Sequence, residues 1–185
     1  LLVVATAARY VLLLDVRKPT EAVQTRESSL KSQTRCVAQM LSGEGYAMGA
    51  VDGRVAIEYV DSSEQAQQQQ FVFKAHRQNV GGVDTCYPVN AIAFHPHYGT
   101  FATGGCDGCI HVWDAARKKK VCSLRRYPTS IAALAFSPDG EQLAIAASYT
   151  YENGDVSHPA DAVFVRRADT EFRPKAPAGA SGSRS

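Results

Sequence analysis

The chain has 185 residues, with 20 Lys and Arg against 18 Asp and Glu and a formal net charge of +2. Apolar residues make up 45% and charged residues 21%, ordinary values for a globular domain, which exclude a wholly disordered chain, a collagen and a coiled coil. The near-neutral charge also argues against a dedicated nucleic-acid binder, because such proteins carry a strong basic excess.

The cysteines and the first residues bear on where the protein works. Five cysteines, an odd number, argue against a disulfide framework and favour a reducing compartment such as the cytosol or nucleus. The most apolar stretch, residues 1–14, is interrupted by Arg9 and is shorter than the ~20 residues of a membrane span. No membrane segment is therefore predicted. The chain also starts inside this apolar run without Met, which we interpret as the sign of a fragment.

Short β-branched or apolar stretches, separated by Gly, Asp, Asn and Pro, predict an all-β protein without amphipathic helices. The predicted strands cover residues 1–6, 10–15, 35–41, 46–50, 54–59, 71–73, 89–94, 100–104, 110–113, 121–124, 131–136, 142–147 and 162–166. The Gln-rich stretch 65–70 is expected to form a solvated loop. Residues 174–185, rich in Pro, Ala, Gly and Ser, are expected to form a disordered tail.

Two internal repeats distinguish between the all-β architectures. Residues 89–96, VNAIAFHP, return at 131–138 as IAALAFSP, an offset of 42 residues. Residues 103–114, TGGCDGCIHVWD, have weaker copies at 49–59 and 5–15. Asp-Gly tolerates the positive φ of a tight turn between strands. A period near 42 with strand, Asp-Gly turn and a strand closing on Trp-Asp resembles the WD repeat, one blade of a β-propeller.

The chain length sets the number of blades. At about 40–45 residues each, about three and a half blades fit, which is too few to close a ring. We therefore expect the C-terminal part of a seven-bladed propeller. Residues 1–34 are expected to form the second half of a blade, residues 35–85 a degenerate blade with the Gln-rich loop, and residues 86–127 a blade with the full signature. Residues 128–173 are expected to form the last blade, and residues 174–185 the tail.

No motif predicts catalysis or a cofactor. Cys106-x-x-Cys109 has no second Cys or His pair at zinc spacing, and His95-Pro-His97 falls where a turn is expected. Gly104-Gly105 lacks the Gly-Lys-Ser/Thr of a phosphate loop, and neither a serine nucleophile elbow nor a paired-carboxylate motif is present. The sequence predicts a non-enzymatic protein that needs neither metal nor cofactor.

Two basic features are candidate binding surfaces. Residues 117–120 and 125–126 place six cations within ten residues, which is typical either of a solvated hairpin or of a patch for acidic peptide, phosphate or RNA. Arg54 follows the Asp52-Gly53 turn, and Lys74 follows Phe71-Val-Phe73. If the hairpin between them is regular, both side chains can approach one acidic partner.

Several stretches together resemble one WD-repeat family, the third member of the budding-uninhibited-by-benzimidazole spindle-checkpoint proteins. They are ESSLKSQTRC at 27–36, DGRVAIEY at 52–59, FVFKAHR at 71–77, YPVNAIAF at 87–94, FATGGCDG at 101–108 and RYPTSIAALAF at 126–136. A sister family of propeller mRNA-export factors shares DGRVAI and FxFKxHR. RYPTSIA, LAIAASY at 143–149 and His158-Pro159 favour the checkpoint family.

The resemblance implies a scaffold whose top face binds a GLEBS-type peptide of a checkpoint kinase or pseudokinase. Paired glutamates of that peptide would meet Arg54 and Lys74, while His76, Arg77 and Arg126 are further candidates for contacts with peptide or phosphate. The family also recognises phosphothreonine repeats of the outer-kinetochore scaffold. The implied location is the nucleus, and the kinetochore in mitosis.

Other partners and functions stay open at this point. A ubiquitin-related checkpoint complex is a further partner to consider. The alternative function is an mRNA-export adaptor that binds a nucleoporin peptide and RNA, for which the cations of residues 117–126 would be the RNA contact. A generic scaffold or an enzyme adaptor is the third hypothesis. No membrane partner is expected.

Overall fold

The computed structural model describes residues 1–168 and 170–174, and its regular structure is almost entirely β. The strands are β1 Leu2–Ala5, β2 Tyr10–Leu14, β3 Ala22–Glu27, β4 Thr34–Gln39, β5 Gly45–Ala50, β6 Arg54–Tyr59, β7 Phe71–Lys74, β8 Arg77–Val80, β9 Val83–Cys86, β10 Val89–Phe94, β11 Thr100–Gly105, β12 Ile110–Asp114, β13 Lys119–Ser123, β14 Ile131–Phe136, β15 Gln142–Ala147 and β16 Ala162–Arg167. One short helix, α1 (Glu64–Gln67), and a 3-10 turn (Thr170–Phe172) complete the described elements.

The strands form four antiparallel meanders and a separate hairpin. Sheet 1 is β1-β2-β3, sheet 2 is β4-β5-β6-β7, sheet 3 is β10-β11-β12-β13 and sheet 4 is β14-β15-β16, while β8 and β9 pair with each other. The first strands of neighbouring sheets are in contact, β1 with β4, β4 with β10 and β10 with β14. This side-by-side packing in chain order is that of a partial propeller, which confirms the all-β prediction.

The apolar residues are buried between successive sheets, because sheets 2 and 3 pack a neighbour on both faces and sheets 1 and 4 each pack one neighbour. Tyr46 and Met48 of β5 face sheet 1, whereas Ala47 between them faces sheet 3. The same alternation along the inner strands builds three clusters, one at each junction between sheets. Burial of a large apolar side chain contributes about 1.5–3 kcal/mol, so these junctions supply most of the stability.

Two glycines let neighbouring sheets approach closely. A Cβ added at Gly49 of β5 would lie 2.8 Å from the Val89 side chain, and one added at Gly104 of β11 would lie 2.4 Å from Ile131. Val89 and Ile131 each begin the first strand of the following sheet. The repeat seen in the sequence therefore corresponds to a repeated contact between sheets.

Some elements differ from those predicted. The half blade expected in residues 1–34 holds three strands instead of two. The third, β3, is mostly exposed and pairs with β2 through backbone hydrogen bonds, which do not require a pattern of apolar side chains. Strands β8 and β9 are polar, and Gly81 and Gly82 with positive φ form the turn between them. The Gln-rich loop contains α1, whose N-cap Ser63 accepts a hydrogen bond from the Ala66 amide.

Two further predictions relate to the ends of the chain and to membranes. The expected tail, residues 174–185, lies outside the described residues except for Pro174. Among the residues that the structure describes, no helix has the length and apolarity needed to span a membrane. The blade limits and the total of seven blades stay predictions.

Candidate functional site

Arg54 and Lys74 are direct neighbours across two paired strands. Arg54 begins β6, Lys74 ends β7, and their Cα atoms are partners in the antiparallel register. Side chains of such partners leave the sheet on the same face. Arg54 Nη1 donates to Asp52 Oδ2 at 3.0 Å, so the turn carboxylate fixes the guanidinium. The other donors of its planar fork stay available for a partner's carboxylate.

Arg77 packs on the same turn. Its Cγ lies 3.0 Å from where a Cβ of Gly53 would be, next to Arg54. Its Nη2 donates to Asp84 Oδ2 of β9 at 2.7 Å, and the side chain is only 17% exposed. The β8–β9 hairpin therefore holds Arg77 in place, and sequence reasoning missed both the hairpin and its carboxylate because this segment is mostly polar and has no apolar alternation.

His76 does not contact the surface, which corrects its assignment as a peptide contact. Its side chain is fully buried, with Nδ1 3.0 Å from Asp107 Oδ1 and Nε2 2.9 Å from Thr103 Oγ1. Trp113 Nε1 donates to the same Thr103 oxygen at 2.9 Å. With its proton on Nδ1, His76 donates to Asp107 and accepts from Thr103. Both ring nitrogens are thus used inside the protein.

The electrostatics of this network follow from its burial. Burial alone would raise the pKa of the Asp107 carboxyl, but the hydrogen bonds that it accepts from His76 and from the Cys109 amide outweigh burial and lower that pKa. His111, whose ring centroid lies 4.8 Å from that of His76, has its pKa lowered to about 4, chiefly by burial.

His76, Asp107 and His111 also place one ligand atom each within 4.8 Å of one another. A metal ion needs a free lone pair on the histidine nitrogen that it binds. Because both nitrogens of His76 are engaged, the arrangement serves as a hydrogen-bond network that joins the connection after β7 to the β11–β12 turn.

The second Asp-Gly turn carries Arg126 in a similar position. Arg126 is exposed, and its Cγ lies 3.6 Å from where a Cβ of Gly108 would be. Because His76 and Asp107 link the two turns, both stand at one end of the sheets, which we call the Asp-Gly end. The structure thus brings Arg54, Lys74 and Arg77 together at this end and adds Arg126 one sheet further along.

The six cations of residues 117–126 do not form one patch. Residues 117–120 lie at the start of β13, and residues 125–126 follow its end. Residues 121–124 lie between the two groups, so Lys120 and Arg125 stand up to about 17 Å apart, at about 3.3 Å per residue. Arg117 is also paired with Asp114 at 2.8 Å. The patch hypothesis is therefore wrong for the cluster as a whole, and only its two halves stay as separate basic surfaces.

The remaining motifs hold the structure together. His95 is buried, with Nε2 3.1 Å from the Gly140 carbonyl oxygen, so the His95-Pro-His97 segment joins sheet 3 to the β14–β15 turn. Cys106 is buried as a free thiol, and its sulfur accepts a hydrogen bond from Asn90 Nδ2 at 3.3 Å. These contacts explain both motifs without a metal ion.

Comparison with known proteins shows which proteins the chain is similar to. The profile of the WD domain, G-beta repeat, matches residues 67–114. Mitotic checkpoint protein BUB3.1 of Arabidopsis thaliana is 54% identical over 175 residues, which are 94% of this chain and 52% of that protein. Mitotic checkpoint protein bub3 of Dictyostelium discoideum is 48% identical over 92% of this chain and 52% of its own. The chain is a WD-repeat relative of the BUB3 proteins.

The export factors are more distant relatives. The Poly(A)+ RNA export protein of Schizosaccharomyces pombe is 40% identical over 83% of this chain and 43% of its own. The resemblance found in the sequence to BUB3, with the export factors as a sister group, is confirmed, as is the WD-repeat fold. The chain spans about half the length of the curated relatives it matches.

Proposed function

We propose that this chain is a non-enzymatic binding part of a mitotic spindle-checkpoint scaffold, and that its Asp-Gly end binds an acidic GLEBS-type peptide of a checkpoint kinase or pseudokinase. The carrying observation is the register pair Arg54 and Lys74, which presents two cations on one sheet face. Paired glutamates of a peptide match two cations at this spacing, because charge-assisted hydrogen bonds favour carboxylates over neutral groups.

The neighbouring residues fit the same role. Arg77 is fixed by Asp84 at the edge of the pair, and Arg126 is exposed one sheet further on. A phosphothreonine of a kinetochore-scaffold repeat carries nearly two negative charges and suits such arginines. Recruitment of the checkpoint proteins to kinetochores, within the nucleus, follows from these two binding activities. Association with a ubiquitin-related checkpoint complex would build on the same scaffold.

Isothermal titration calorimetry with a GLEBS-type peptide tests this function. The double variant Arg54→Glu/Lys74→Glu should weaken binding at least roughly thirtyfold, or about 2 kcal/mol, because both charge pairs become repulsive. The matched control is Arg17→Glu/Lys18→Glu, which changes the same residue types at exposed positions of the β2–β3 turn. Equal affinity of the wild type and the Arg54/Lys74 variant would refute the proposed site.

The export-adaptor alternative has less support. It relied on one RNA-binding patch in residues 117–126, and that cluster is divided between the two ends of β13. The export proteins are also less similar to this chain than the BUB3 proteins of Arabidopsis thaliana and Dictyostelium discoideum. Binding of a GLEBS-type peptide without binding of single-stranded RNA at low salt would separate the two functions.

A further inference from the structure

A cavity between sheets 2 and 3 opens on the side of the molecule. It has a volume of about 130 Å³, and its apolar lining includes Phe71, Phe73, Phe101 and Trp113. The Phe73 and Trp113 rings pack with their centroids 4.5 Å apart and form one wall. An apolar cavity of about 150 Å³ accepts a benzene ring, and this one approaches that size and is partly open, so the ring of a single apolar side chain can enter it.

The rim of this cavity is basic. Lys118 and Lys119 border it, and Lys118 Nζ stands 4.8 Å above the centre of the Phe71 ring. Lys120 Nζ lies 6.0 Å from the Trp113 ring, and all three lysines are exposed. The one carboxylate in the lining, Asp114, is buried and paired with Arg117. An apolar pocket thus lies beneath cations whose charge no lining carboxylate is free to balance.

We propose that this cavity, the side pocket, is a second peptide-binding site that takes a short acidic segment with one large apolar residue. The apolar side chain enters between Phe71 and Trp113, and Asp or Glu residues beside it pair with Lys118 and Lys119. Charge complementarity selects acidic flanks, and the enclosed shape selects the apolar anchor.

The shape of the pocket favours peptide over RNA. Bases bind to proteins by stacking on open aromatic faces. Here Phe73 and Trp113 pack against each other, and Lys118 covers the face of Phe71. The side pocket is also distinct from the acidic-peptide site proposed above: Arg54 leaves its sheet on the face opposite Phe71 and Phe73. Lys74 borders both sites and is therefore left unchanged in the test.

Tryptophan fluorescence tests the proposal directly, because Trp113 is the single tryptophan of the chain and lines the pocket. The probe is the unlabelled heptapeptide Asp-Glu-Asp-Phe-Asp-Glu-Asp, titrated into the purified protein. Entry of the phenylalanine displaces water from the indole, so we expect a saturable blue shift that weakens with added salt. The same peptide with Ala in place of Phe should leave the emission unchanged.

Charge variants locate the site. Lys118→Glu/Lys119→Glu should raise the dissociation constant at least about tenfold, or 1.4 kcal/mol. The matched control Lys18→Glu/Lys31→Glu changes two exposed lysines of the first part of the chain, and Arg54→Glu changes the other peptide site; both should bind as the wild type does. An unchanged Trp113 emission, equal binding of the Ala peptide, equal weakening by both lysine variants, or the same shift with oligouridylate would each overturn the proposal.

Discussion

Thr103 completes the hydrogen-bond network around the buried His76. Its hydroxyl accepts from Trp113 Nε1 and donates to His76 Nε2, so one oxygen joins β12 to the connection after β7. His76 lies in the interior, where a polar group that loses its hydrogen bond is not solvated by water. At the scale of single residues, stability here depends on whether a few polar atoms each have a hydrogen-bond partner, rather than on how much apolar area is added.

Replacement of Thr103 by valine keeps the shape of the side chain and removes the hydroxyl. The buried Nε2 of His76 and the half-buried Nε1 of Trp113 then lose their partner, which should lower the free energy of unfolding by about 2–4 kcal/mol. Urea unfolding followed by circular dichroism measures the loss. Thr20→Val at an exposed turn position is the control, and a Thr103→Val change as small as that control would contradict the network's role.

His111 gives stability a dependence on acid. The pKa of His111 in the folded protein is lowered to about 4 by burial, whereas in the unfolded chain the side chain has the ordinary histidine pKa of 6.5. Between these values the unfolded state binds more protons, so the folded state should lose stability as pH falls from about 6.5 to about 4. Denaturation midpoints across this range measure the slope.

The variant His111→Gln should flatten that slope, because it removes the titrating group. At pH 8 the histidine is neutral in both the folded and the unfolded state, so its protonation no longer contributes to the free energy of unfolding there. His158→Gln, at an exposed position, is the matched control. A wild-type slope that persists in His111→Gln would assign the acid sensitivity to another group.

At the scale of single elements, the C-terminal 3-10 turn fastens sheets 3 and 4 together. Phe172 is fully buried within the cluster between these sheets, and its ring packs edge-on against Phe136 at 5.4 Å. Thr100 Oγ1 donates to the Phe172 carbonyl oxygen at 2.7 Å. This three-residue turn thus places one large, fully buried side chain in the core between sheets 3 and 4.

Deletion of the Phe172 ring should therefore be costly. Phe172→Ala should lower the free energy of unfolding by about 3–5 kcal/mol, the usual cost of a cavity of that size in a core. Thermal unfolding, with the exposed Thr170→Ala as control, measures it. If both variants melt at the same temperature, the turn does not anchor the sheets in solution.

Regular apolar alternation made most elements predictable. Strands β10, β14 and β15 have the predicted bounds, because their inner-facing residues recur at every second position. Strands β3, β8 and β9 were missed because their pairing rests on backbone bonds and, in the hairpin, on a Gly-Gly turn. The burial of His76 depends on Asp107 and Thr103, which are distant in sequence, and a single sequence offers no signal for that contact.

At the scale of the whole molecule, the two outer sheets differ from the two inner ones. Sheets 1 and 4 have three strands each, whereas sheets 2 and 3 have four. Within the described residues β16 pairs with β15 alone, and it exposes Val163 and Val165 by 74% and 63%. An open strand edge with exposed β-branched residues favours pairing between molecules.

The isolated chain should accordingly associate with itself as its concentration rises. Val163→Glu/Val165→Glu should reduce the association constant at least about tenfold, because two carboxylates at one edge repel their copies in a second molecule. Sedimentation velocity over a concentration series measures it. Val16→Glu/Val156→Glu, at exposed positions outside the strands, adds the same charge and should have no such effect.

The close contacts at Gly49 and Gly104 also determine curvature. At each, the bare backbone of one sheet rests on the side chain that begins the first strand of the next, Val89 or Ile131, so this close contact sets the angle between neighbours. In a ring, an error in that angle adds up at every junction, and a few degrees per unit would change how many units close it. Even an alanine at either position would act as a wedge, and the geometry of the ring would respond far from the substitution.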